Sequence, residues 1–175
     1  MRARAAVAAL LVAALAGCGY SLEGRGITTD PSVKRIGVPL FKDQTGKVDL
    51  DSRVTAAVME ELLKRGRFTV VREASGVDAV VLGEILAFDV VPVNFTASGT
   101  VTEATRYAIT LTAKVTYRKV GQKEPIWETS RFSFRDEYDL DDQNTQDFFD
   151  MEDLSINRLT EQFARSLVST MLEAF

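Results

Sequence analysis

Between Arg106 and Arg135 the chain carries seven basic residues and two acids. Five of the seven, Arg106, Lys114, Arg118, Arg131 and Arg135, share the faces of two alternating segments with Thr110, Thr112, Thr116, Thr129 and Ser133. Guanidinium and ammonium groups offer charge to an anion, and neighbouring hydroxyls complete its hydrogen bonds, so the pattern suits phosphate. A solvated sheet surface has the same composition, and both readings stand at this point. Residues 136–153 invert the charge, with nine acids and no base. Asp139-x-Asp141-x-Gln143 has the opening spacing of a calcium loop, but Asn144 stands where Gly is needed and Asp150 where Glu is usual. An acidic segment leading into a helix N-terminus, favoured there by the macrodipole, accounts for these residues without a metal.

Much other chemistry is excluded by composition. The chain has no histidine, which removes imidazole acid–base catalysis, Ser-His-Asp and Cys-His systems, and His-containing metal sites. A single cysteine leaves no intrachain disulfide and no paired-cysteine motif. A formal charge of −4 and a pI near 5.0 argue against a general nucleic-acid binder. At 175 residues, with 46% hydrophobic and 26% charged residues, the chain has the balance of one globular domain. Binding, with no cofactor, is the expectation; catalysis is not.

The lone cysteine, Cys18, has its own context. Arg2 and Arg4 precede an uninterrupted apolar run over residues 5–15, too short to cross about 30 Å of hydrocarbon as a helix. The run ends in Leu15-Ala16-Gly17-Cys18, so residues 1–17 read as a cleaved signal peptide. The four residues match the bacterial lipobox, which implies lipidation of Cys18 and of the new amino terminus. Three acyl chains make a durable anchor, because each buried CH₂ contributes about 0.8 kcal/mol. Gly19 stands where Asp would favour retention in the inner membrane, so the periplasmic side of the outer membrane is expected. Residues 18–32 are a lipidated tether rich in Gly, Ser and Thr. Its Gly24-x-Gly26 is no dinucleotide fingerprint, since the third Gly position is Thr29 and no strand precedes it.

The elements that must position these residues lie in a single domain over residues 33–175. Residues 33–41 alternate, with Ile36, Val38 and Leu40 on one face and Pro39 marking an edge or strand end. Leu50, Val54, Ala57, Val58 and Leu62 follow at helical spacing, with Asp49 or Asp51 as N-cap and Gly66 as C-cap. A short strand over residues 68–71 completes a β-α-β unit. Residues 78–93 are apolar on both faces and predict a long central strand bent at Gly83. Residues 94–105 are polar and predict a long loop; their Asn94-Phe95-Thr96 sequon carries no meaning in a bacterial chain.

Residues 106–118 alternate, with Tyr107, Ile109, Leu111, Ala113, Val115 and Tyr117 on the apolar face. Residues 126–138 follow, with Phe132, Phe134 and Tyr138 inward and Glu128 and Ser130 on that same side. Residues 151–175 form an amphipathic helix with the stripe Ile156, Leu159, Phe163, Leu167, Val168, Met171 and Phe175. The expected fold is α+β, a two-layer sandwich with two helices on one face of a mixed sheet of four to five strands.

In this order the residues resemble the LptE family of lipopolysaccharide-assembly lipoproteins. Cys18-Gly19-Tyr20-Ser21-Leu22 looks like the start of its mature chains, and Ile36-Gly37-Val38-Pro39-Leu40-Phe41 like its first strand. Val54 to Arg65, Phe68 to Val71, Asp78 to Ile85 and Ile126-Trp127 continue the likeness; Asp43-Gln44-Thr45 departs from an expected Asn-x-Thr. The resemblance implies two helices on a small mixed sheet, no enzyme activity, and a place within the lumen of a large LptD-like outer-membrane β-barrel, with lipopolysaccharide as ligand. Arg106, Lys114, Arg118, Arg131 and Arg135 are the candidate residues for its lipid A phosphates. The first strand, helix and Ala79-Val80-Val81-Leu82-Gly83-Glu84-Ile85 also resemble other envelope lipoproteins of the curli-secretion and penicillin-binding-protein activator types. The alternative is therefore a periplasmic lipoprotein regulating a peptidoglycan-synthesis or secretion machine.

Overall fold

A computed structural model describes residues 32–98, 101–139 and 145–173. The signal segment, Cys18, the tether up to residue 31, Asp141, Asn144 and Phe175 lie outside the described residues, as does the side chain of Asp150. In chain order the elements are β1 (Arg35–Gly37), β2 (Lys42–Asp43), α1 (Leu50–Lys64), β3 (Thr69–Val71), β4 (Ala79–Ser98), β5 (Val101–Lys119), β6 (Trp127–Asp139) and α2 (Thr145–Glu173).

The sheet runs β3-β1-β4-β5-β6, and β2 pairs with β4 farther along the side that β1 occupies. β1 is parallel to β3 and β4, as a β-α-β crossover requires, while β4, β5 and β6 form an antiparallel meander. The sheet is thus mixed, and both helices cover one face of it. Val54, Val58 and Leu62 recur every four residues on α1, and Leu159, Phe163, Leu167 and Met171 do so on α2. These stripes are buried against Ile36, Val81, Ile85, Ile109, Leu111 and Val115. Phe163 meets Phe132 edge-on, with ring centroids 5.4 Å apart.

Polar contacts pin the two layers at their rims. Arg53 donates to Asn157 at 2.8 Å and pairs with Asp153 at 2.7 Å; Arg65 reaches Ser169 at 2.6 Å. Arg158 ties α2 to β6 through Asp136 at 2.6 Å and the Glu137 carbonyl at 3.0 Å. Thr55 is the buried link between α1 and Phe41, the residue just before β2. Its hydroxyl donates to the Asp51 carbonyl at 2.7 Å and accepts from the Phe41 N–H at 3.0 Å.

Five local expectations are corrected. The strand over residues 33–41 is cut short, because Pro39 has no N–H for the ladder; β1 ends at Gly37, and β2 begins only at Lys42, farther along the same side of β4. The break also reverses the alternation, so Phe41 is buried and Leu40 is 53% exposed. Gly83 is no bend: the register shift comes between Ile85 and Ala87, and Gly83 instead leaves room for the Phe41 ring, into which a Cβ would run. Residues 94–105 are mostly strand. β4 and β5 continue as a hairpin with Asn94 opposite Arg106 and Ser98 opposite Val101, since the β-branched residues there favour pairing despite their polarity. Finally, Ala113 pairs with Phe132 but Val115 with Thr129, leaving Ser130 and Arg131 together opposite Lys114. This bulge turns Trp127 toward the core and puts Glu128 and Ser130 in solvent.

Candidate functional site: the open face of the sheet

The helices leave the second face of the sheet uncovered, and β5 crosses its middle. Ile109, Leu111, Ala113, Val115 and Tyr117 of β5 are buried on the helix side, so the intervening Arg106, Thr110, Lys114, Thr116 and Arg118 point to the open side. β6 adds Arg131, Ser133 and Arg135. Thr112 and Ser133 share a hydrogen bond at 3.0 Å, joining the hydroxyl rows of the two strands. The structure therefore brings all five sequence-selected cations onto one face.

Their electrostatic states differ. Arg106 forms a two-pronged contact with Asp139 directly across the ladder, at 2.6 and 3.3 Å. That hydrogen bond, followed by the carboxylate charge, raises the guanidinium pKa, and the same arginine holds Asp139 below the usual carboxylate range. Arg135 pairs with Glu137 at 3.0 Å along its own strand. Lys114, Arg118 and Arg131 are exposed and make no ion pair among the described residues.

Lys114 also borders a groove that the sequence did not reveal. Lys42, Glu84 and Lys114 stand in register on three adjacent strands. With Leu40, Leu82 and Thr116 they line a cavity of about 360 Å³. Gln44 donates to Glu84 at 2.6 Å, so this carboxylate is partnered, while neither lysine makes an ion pair among the described residues. Leu82 is 38% exposed and supplies apolar surface beside the charges. Pro39 and exposed Leu40, between β1 and β2, form part of its wall. Lys42 lies just past the alternating run of residues 33–41, so periodicity did not place it on this face; Glu84 interrupting an apolar strand was the available signal.

Such a face can hold an amphiphilic anion by charge, hydroxyl hydrogen bonds and aliphatic contact. Among the described residues, no group of three or more cysteine, aspartate or glutamate side chains is placed to hold a metal. Asp139, first residue of the suspected calcium loop, is engaged by Arg106.

The family model for LptE, described as lipopolysaccharide-assembly, matches residues 33–171. Among solved structures, rare lipoprotein B from Shewanella oneidensis has a TM-score of 0.54 at 13% identity, covering 81% of this chain and 96% of that one. Lipoprotein B from Nitrosomonas europaea gives 0.54 at 12% identity, covering 89% and 92%. At these identities the likeness to both is one of fold. No curated protein sequence matches.

Proposed function

The chain belongs to the LptE lipopolysaccharide-assembly family, and on that premise we propose that it is an outer-membrane lipoprotein supporting the lipopolysaccharide translocon. In this reading Cys18 carries the lipid anchor on the periplasmic side. The folded domain sits in the polar lumen of a large LptD-like β-barrel, assists its assembly, and binds lipopolysaccharide without catalysing a reaction. The observation that carries the reading is the sheet face that the helices leave uncovered, where Lys114, Arg118 and Arg131, without ion pairs among the described residues, adjoin hydroxyls and a groove with exposed leucines.

Lipid A offers what such a face recognises, phosphates next to acyl chains. Lys42 joins the candidate set because it shares the groove with Lys114. Arg106 and Arg135 would first have to release Asp139 and Glu137, so they contribute less per residue. A pull-down from detergent-solubilised outer membrane tests the function. Recovery of a large β-barrel with bound lipopolysaccharide supports it; recovery of an inner-membrane or soluble enzyme alone favours a regulatory lipoprotein.

A further inference from the structure

β4 outruns its neighbours on one side. β1 pairs with it at Ala79 and Val80, and β2 at Glu84 and Ile85. The ladder ends where the Gln44 N–H donates to the Ile85 carbonyl at 3.0 Å. Asp43 then accepts from the Thr45 N–H and hydroxyl at 2.9 and 2.8 Å and turns the chain away. Over residues 87–95, β4 is paired with β5 alone among the described residues. Its other side is a row of backbone donors and acceptors with no strand beside it among the described residues.

Proteins usually guard such an edge with charges or cover it. The free edge of β6 is guarded in this way by Arg131, Arg135, Glu137 and Asp139, and Arg158 of α2 occupies its Glu137 carbonyl. Residues 87–95 carry one charge, Asp89, and expose Val91, Val93 and Phe95. Pro92 removes one donor and the register is irregular between Pro92 and Phe95, so the regular, pairing-competent part of the edge runs over residues 87–91.

We propose that this edge of β4 receives an extended segment of the β-barrel partner as an added strand. The inference rests on the barrel reading and assigns a docking surface within it. Charge decides the occupant. Asp89 is exposed and makes no ion pair among the described residues, so the incoming strand carries a basic residue beside it and an aliphatic residue along Val91. A second copy of this chain fits poorly. Antiparallel self-pairing centred on Val91 sets Asp89 against Val93, and pairing centred on Asp89 sets two carboxylates face to face.

The test uses the full chain co-expressed with its barrel and purified as the complex, with amide hydrogen exchange compared against the chain alone. Backbone amides in residues 87–91 that point away from β5 are expected to slow by about tenfold or more in the complex. A photo-crosslinker at Val91 should attach to the barrel. Val91→Lys, which guards the edge with a charge, should weaken barrel capture severalfold without altering the melting of the free chain. Unchanged exchange in a complex that contains the barrel, or crosslinks running to a second copy, overturns the strand-addition proposal. Purified material with no barrel at all overturns the barrel reading, and the docking surface with it.

Discussion

Glu84 on β4 stands directly opposite Lys114 on β5, yet its carboxylate takes a hydrogen bond from Gln44 and forms no ion pair with that lysine. The ammonium groups of Lys114 and Lys42 are thereby left available at the rim of the groove. Lys42→Glu and Lys114→Glu should each weaken lipopolysaccharide binding, by about 1.5–3 kcal/mol for every charge-assisted hydrogen bond lost. Added salt should weaken the wild-type interaction too, since these groups are exposed. Thermal melting of both variants should stay within roughly 0.5 kcal/mol of wild type. Titration calorimetry with unchanged affinity in a folded double variant would place the ligand elsewhere.

The second prediction concerns Gly83. Its missing side chain makes room for the Phe41 ring, so Gly83→Ala overpacks the sheet and should destabilise the domain by about 1–3 kcal/mol. In a Phe41→Leu background the same substitution should cost less, because the obstructing ring is gone. Denaturant unfolding of the four proteins in the cycle measures the coupling directly. Additive effects would show that the two residues do not compete for space.

Acid sensitivity provides a third check, at Asp78. Its carboxylate accepts from the N–H groups of Lys34 and Arg35 at 2.9 and 2.8 Å, and these bonds, Lys34 first, lower its pKa. A lowered folded-state pKa means the contribution is present above the unfolded value near 4 and is lost as pH falls through the folded value. Asp78→Ala should therefore melt below wild type at neutral pH, and the gap should close in strong acid. A gap that persists at the lowest pH would assign the effect to packing.

The fourth concerns the anchor. Leu15-Ala16-Gly17-Cys18 holds the chain's one thiol, so Cys18→Ala should release the protein from membranes or leave it unprocessed. Mass spectrometry finding an unmodified Cys18 thiol on the wild type would refute lipidation.

Periodicity made most of this architecture legible. Leu50, Val54, Val58 and Leu62 declare one helix, and Leu159, Phe163, Leu167 and Met171 the other, because four-residue spacing keeps each set on one buried face. What it could not show were changes of phase. One proline separates buried Phe41 from exposed Leu40, and one extra residue at Ser130–Arg131 moves Glu128 from the apparent inner face to solvent. Polarity was the wrong guide for residues 94–105, where pairing preference prevailed. At the site, alternation placed Arg106 and Lys114 on one face, but only register reveals that Asp139 engages the first and that Lys42 joins the second.

β4 is also the strand on which the two kinds of pairing in this sheet converge. Its ladder with β5 sets Ser98 opposite Val101, so it can zip from residues close in sequence early in folding. Its parallel pairing sets Ile36 beside Ala79, which demands that a long intervening stretch be gathered first. The hairpin is therefore the natural template, and β1, β2, α1 and β3 must dock onto it. Until they do, β4 presents an open flank along its whole length, and docking shortens that flank to the part beyond Ile85. The late event in folding is thus the one that sets how much sticky edge the finished molecule retains.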